Sequence, residues 1–314
     1  MYLLGKGYTL QAFIPTLNQM LILFICIMIG WAVNKLKLLP DNADQTISKL
    51  LSFVVMPALI INSFYNNCTI ENLTANAPLI VYSSIYYGLS TLIGIILGPR
   101  FSKDKGVQGL YKYSFMITNM GFMGNALILG LFGQEKLFSY LIFSLPGTIL
   151  VYSIGVVWLT GGKKKFSWRS FLNPMFGFMI LGILLGITHP PLPVFVTSTL
   201  SSSASCFSAL AMLLTGFVIG KFDIIKLLKV KPVYILTLLR TILIPIGVYF
   251  LFKAVGTPDD ILLYIVFTAA MPLGMNTIVF PAAYGGDLTT GASMAVISNI
   301  VGLISVPLIL SLVL

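Results

Sequence analysis

Two short polar stretches interrupt long apolar runs: Thr118-Asn119-Met120-Gly121-Phe122-Met123-Gly124-Asn125 and Met271-Pro272-Leu273-Gly274-Met275-Asn276-Thr277. Glycine and proline break helices, and side-chain amides supply the hydrogen bonds a broken helix loses. In hydrocarbon a backbone group without a partner is costly, so a break at mid-membrane depth survives only where it faces protein or a water-filled cavity. Breaks at matching places in two repeats mark the substrate site of many secondary transporters. The chemistry such residues can do is recognition. The second half of a broken helix presents N–H donors and a positive dipole end to an anion.

Asn119 and Asn276 are the first candidates, able either to donate to a carboxylate or to satisfy the unwound backbone. Gly121, Gly124 and Gly274 serve either close backbone approach and positive φ, or helix packing through small residues. Pro272 is expected to create the second break. Asn125 either lines the cavity or compensates locally, and Thr277 is read chiefly as local support. Arg240 is the one clearly intramembrane cation. It could attract an anion or lock two domains together, or, being near Lys231, snorkel toward the cytoplasm.

These stretches need membrane-spanning helices to position them. Of the 314 residues, 57% are hydrophobic and only 9% charged, against about 25% charged in soluble proteins. Mean hydropathy is +0.97. About ten apolar runs of spanning length fit. They begin near Phe13, Ile47, Pro78, Leu110, Lys136, Pro174, Ser203, Val233, Ile261 and Gly291. The fourth and ninth hold the interruptions. Pro57 predicts a kink in span 2, and Leu213-Leu214-Thr215-Gly216 a matching bend in span 7. The N-terminal run, preceded by Lys6, reads as a first span and not as a cleaved signal peptide.

The net charge of +10 does not point to nucleic acid, because Lys and Arg lie in short loops and form no basic face. Lys35, Lys37, Arg100, Lys103, Lys105, Lys163, Lys164, Lys165, Arg169, Lys221, Lys226 and Lys229 follow spans 1, 3, 5 and 7. The connections after spans 2, 4, 6 and 8 hold only Lys136 and Lys253. The positive-inside rule places the first set in the cytoplasm and both termini outside a plasma membrane crossed many times. Two halves of five spans, residues 1–160 and 161–314, would then enter from opposite sides as inverted repeats, each with a broken fourth span. Pro15 and Pro174 open corresponding spans.

Around the interruptions the chain resembles the auxin efflux carrier family, plant PIN-like carriers and bacterial malonate-type permeases among them. The likeness rests on Asn119-Met120-Gly121-Phe122-Met123-Gly124 with Leu131-Phe132-Gly133, and on Met271-Pro272-Leu273-Gly274 with Val279-Phe280 and Tyr284-Gly285-Gly286-Asp287. Met56-Pro57-Ala58-Leu59 and Asn173-Pro174 add to it, and it covers essentially the whole chain. The resemblance implies an all-α integral membrane protein of ten transmembrane helices in two inverted repeats. Spans 1, 2, 6 and 7 would form a scaffold, and spans 3–5 with 8–10 a transport domain. Broken helices 4 and 9 would cross at the midplane, and the chain would form a homodimer through the scaffold. Ala126 stands where the family commonly has a proline, and the long cytoplasmic loop of plant members is absent.

The expected function is secondary transport of a small organic anion, a dicarboxylate or an aromatic carboxylate, by alternating access. A ligand sensor that kept the carrier fold is the alternative. An enzyme is not expected, since paired intramembrane aspartates, a His-Glu-x-x-His helix and a nucleophile beside a base are all missing from the sequence. No cofactor or metal is expected. Cys26, Cys68 and Cys206 are too scattered for a disulfide framework. No Asp or Glu falls deep in a span, so a buried carboxylate relay is unsupported, while sodium coupling through unwound carbonyls and plain uniport both stay open. Tyr82, Tyr86 and Tyr113 serve either specificity or packing, and the serine run Ser201 to Ser208 either faces substrate or bonds between helices.

Overall fold

The computed structural model describes residues 9–165 and 174–314. Lys6, Arg169 and Asn173, used above, lie outside them. The described residues form helices and no strand, as expected where lipid cannot hydrogen-bond an open sheet edge. In chain order the helices are α1 (Thr9–Lys35), α2 (Ala43–Asn67), α3 (Ile70–Leu97), α4 (Lys105–Met116), α5 (Asn125–Phe143) and α6 (Leu145–Leu159). They continue as α7 (Pro174–Thr188), α8 (Val194–Gly220), α9 (Lys231–Ala254), α10 (Asp259–Ala270), α11 (Asn276–Tyr284) and α12 (Leu288–Leu310).

Seven helical stretches among the described residues are individually long and apolar enough to cross a membrane, fewer than the ten runs read from sequence. The shortfall has a local cause. α10 and α11 are separated by a break, and α6 and α7 are short apolar helices. The longest stretch, Lys105–Phe143, is one helix only by continuity. It contains the break before Met120 and a second interruption at Gly133, whose φ of 78° is open to glycine and strained for other residues.

Prolines shape the winding. Pro57 and Pro245 each follow a wide π turn, Leu51–Val55 and Leu239–Leu243. A proline has no N–H for the carbonyl four residues back, and its ring pushes that carbonyl aside, so the preceding turn widens. The kink expected at Pro57 takes this form. The bend expected at Leu213–Gly216 is not there: α8 runs straight through, and its turn comes at Cys206. Gly216 instead lets α8 approach α1, for a Cβ on it would overlap the Ile27 carbonyl, and Gly30 meets Leu213 in the same way.

α1 packs along α8, and α2 along α7 and the first part of α8. A second body gathers α3 on α4, α4 on α6, and α12 on α9, α10 and α11. Its interior is aromatic, with Tyr86, Tyr140, Phe143 and Phe267 fully buried. The bodies meet where α1 touches α12 and α2 touches α5.

Contacts sort the connections to two ends. At one, Lys35 donates to the Phe222 carbonyl (3.1 Å) and Lys221 pairs with Asp44 (2.7 Å). There too Gly161 lies against Gly106, and the Lys163 side chain against Gly285. At the other, Tyr65 stacks on His189 (4.7 Å) and donates to the Pro190 carbonyl (2.9 Å), while Phe64 meets Phe138 edge-on (5.0 Å).

Candidate functional site

The first break begins where α4 stops. The Ile117 N–H closes the last turn on Tyr113 O (2.8 Å), and Ile117 then turns extended (φ −126°, ψ 134°). Asn119 leads into a π turn, Met120–Gly124, closed by the Gly124 N–H on Asn119 O (2.9 Å). The second break follows α10. Met271 is extended (φ −59°, ψ 141°), the conformation a following proline imposes. The chain re-enters a helix at Asn276.

The breaks touch. The Asn119 N–H donates to Pro272 O at 2.8 Å. Thr118 Oγ1 donates to Thr268 O at 3.0 Å, the carbonyl that Pro272 leaves without its helical partner. A Cβ on Gly274 would stand 3.0 Å from Asn119 Oδ1 and 3.1 Å from its Cα, so glycine is what permits the approach. The Leu273 N–H goes to Ser298 Oγ (2.9 Å), and Asn299 Nδ2 reaches Leu273 O (3.4 Å). Ser298 and Asn299, both in α12, were missed from sequence. Asn299 is the one amide in that span and carried the signal that Asn119 and Asn276 carried in theirs.

A cavity of about 130 Å³ opens at the crossing, lined by Asn119, Gly121, Gly274 and Asn276 of the expected site residues. Its remaining wall includes Ser52 and Met56 of α2, Phe122 of the π turn, and Thr148 and Tyr152 of α6. Asn119 is buried, and its Nδ2 has no hydrogen-bond partner, although it lies at a cavity where one could sit. Asn276 Nδ2 donates to Tyr113 Oη (2.7 Å), which gives Tyr113 a defined place beside the site.

Five expected site residues do not line this cavity. Gly124 is packed against the Tyr140 ring, and Asn125 is buried with its Oδ1 unpartnered. Pro272 contributes its carbonyl to the crossing, and Thr277 Oγ1 sits 3.0 Å from both Gly274 O and Gly291 O. Gly121, Gly124 and Gly274 do not adopt positive φ; the positive-φ glycines among the described residues are Gly133, Gly161, Gly162, Gly256 and Gly285. Nor does the serine run reach the cavity, as Ser201, Ser202 and Ser205 lie on the exposed face of α8.

The family described as membrane transport protein matches residues 15–167 and again 160–310. The chain belongs to it. This is the family of auxin efflux carriers that the two interruptions resemble. Among curated relatives of this carrier are an uncharacterized transporter of Methanocaldococcus jannaschii and another of Methanothermobacter thermautotrophicus. The first is 24% identical over 311 residues, covering 93% of this chain and 97% of that protein. The second is 23% identical over 304 residues, covering 94% and 98%.

In this carrier Arg240, the fifth of the residues off the cavity, is fully buried and does not snorkel. Its Nε donates to Ser114 O (3.2 Å), Nη1 to Ala269 O (2.8 Å) and Nη2 to Tyr86 Oη (3.2 Å). Tyr86 thereby acquires a partner too. The guanidinium sits at the carbonyl ends of α4 and α10, behind both breaks, where a helix dipole favours a cation.

Proposed function

We propose that the protein is a secondary transporter that binds a small organic anion, a monocarboxylate with an apolar body, at the crossing of two broken helices and moves it by alternating access. The observation that carries this reading is the unpartnered amide of Asn119 at a cavity bordered by two helix starts. Monocarboxylate is favoured over dicarboxylate because among the described residues no Lys, Arg or His lines the wall, while Met56, Phe122 and Tyr152 do. Desolvating a second charge there would find no cation to offset it. A cavity near 150 Å³ is known to take benzene, so the observed volume suits a compact ligand.

The chain would make ten crossings in two inverted repeats, 1–160 and 161–314, with both termini outside a plasma membrane. Support comes from the sorting of the Lys-rich connections to one end and the Tyr65–His189 contact to the other. The packing of α1 with α8 and of α2 with α7 supports a scaffold of spans 1, 2, 6 and 7. Ser52 and Tyr152 of the cavity wall lie in the parts of their spans nearer the Lys-rich connections, which supports a state open to the cytoplasm. A homodimer through the scaffold would use the exposed small residues Ser198, Ser202, Ser205 and Ala209 of α8.

The test is uptake of labelled carboxylates into proteoliposomes. Saturable uptake that collapses in Asn119→Ala or Asn276→Ala is expected. Normal transport in both variants rejects the site, and binding without uptake favours the sensor.

A further inference from the structure

We propose that Arg240 is a tethered counter-ion: its guanidinium occupies the carbonyl cluster where a carrier with broken helices would otherwise hold a coupling cation, so the anion site works without bound sodium. Carbonyls at the ends of unwound half-helices are the groups that coordinate sodium in such carriers. Here Arg240 takes one such carbonyl from each half-helix. The Ser114 carbonyl loses its helical donor because Ile117 turns extended, and it accepts from Arg240 Nε. The Ala269 carbonyl loses its donor because the Leu273 N–H goes to Ser298, and it accepts from Nη1. One side chain thus serves an orphan carbonyl in the last turn of both broken helices.

The charges balance. Each helix C-terminus carries roughly −0.5 of an elementary charge, so α4 and α10 together present roughly one negative charge to one guanidinium. Among the described residues the ion pair found is Lys221 with Asp44, far along the chain from Arg240, whose partners are carbonyls and a phenol. On the other side of the breaks, the starts of the π turn and of α11 present the opposite charge to the cavity, where only an anion is wanting. Arg240 reaches the anion through α4 and α10 and not by contact, which makes it a positioning residue.

The inference rests on reading the crossing as an anion site, but its first test uses no substrate. Purified protein is melted at constant ionic strength in sodium, choline or millimolar methylguanidinium chloride. Wild type is expected to melt at one temperature in all three. Arg240→Ala is expected to melt lower and to be raised by methylguanidinium, with Arg240→Lys between them. Saturable stabilisation of wild type by sodium overturns the proposal. So does a well-folded Arg240→Ala protein indifferent to methylguanidinium.

In proteoliposomes wild-type uptake is expected to be the same with sodium or choline. Arg240→Ala is expected to raise KM at least tenfold with a smaller fall in maximal rate, partly reversed by methylguanidinium. Sodium-dependent wild-type uptake overturns the counter-ion even if the alanine variant cannot be purified. If the melting results hold and no carboxylate is moved, the counter-ion stands and the transport reading falls.

Discussion

The backbone N–H of Asn119 donates to the carbonyl of Pro272 at 2.8 Å, joining the two breaks through main chain alone. Side chains at either position can therefore be changed without removing the bond that registers one break against the other. This separates effects on the crossing from effects on what it binds.

Asn119→Ala keeps that main-chain bond and deletes an amide with no partner on its donor side. An unsatisfied buried polar group costs about 1–3 kcal/mol, so the unliganded protein should be no less stable than wild type. Affinity for a transported carboxylate should fall about tenfold, or about 1.4 kcal/mol. Melting curves with and without ligand measure both. A drop in unliganded stability with affinity unchanged would assign Asn119 to the fold.

Asn276→Ala should behave differently, because Asn276 Nδ2 bonds Tyr113 Oη at 2.7 Å. Removing it strands a buried phenol, so stability should fall by about 1–2 kcal/mol in addition to any loss of binding. Tyr113→Phe in the same background should recover part of the stability, read as a double-mutant cycle.

Two glycines of the site should part company on gaining a methyl group. At Gly274 the new carbon would press on Asn119 at 3.0–3.1 Å, whereas at Gly121 nothing lies within 4 Å. Gly274→Ala should weaken ligand binding and slow uptake at least tenfold. Gly121→Ala should leave small substrates unaffected and discriminate against bulkier ones, as KM across a size series will show.

Gly216→Ala should destabilise without touching the site, because the added carbon would overlap the Ile27 carbonyl and force α1 from α8. Overpacking of this kind costs about 1–3 kcal/mol. The expected result is a lowered melting temperature with KM of the surviving protein unchanged.

Topology can be read by single cysteines in a background where Cys26, Cys68 and Cys206 are replaced by serine. Glu135→Cys should label from outside intact cells with an impermeant maleimide, and Lys163→Cys only after permeabilisation. The reverse pattern would invert the proposed orientation.

What the sequence disclosed depended on how local the cause was. The break at Pro272 was legible because proline constrains its predecessor and lacks a donor, whatever surrounds it. The first break was legible as a place but not as a shape: Ile117 turns extended where Thr118 and Asn119 bond to Thr268 and Pro272 far along the chain, and the glycines after it wind into a π turn. Arg240 was legible as an anomaly only. Its distance from Lys231 along the helix could not say whether the side chain would reach outward to water or inward to two carbonyls. Likewise Gly216 looked like a bend, because a sequence does not distinguish a glycine that frees the backbone from one that admits a neighbour.

The cavity's flanking helices carry wide turns at Leu51–Val55, Met120–Gly124 and Val151–Gly155. Each such turn holds a residue beyond regular winding, and in an α-helix one residue corresponds to roughly 100° of rotation. The side chains presented to the ligand are therefore keyed to a count as well as to identity. Deleting one residue from Leu51–Val55 would restore regular pitch and swing Ser52 and Met56 relative to one another, redrawing the wall with no side chain there changed in kind.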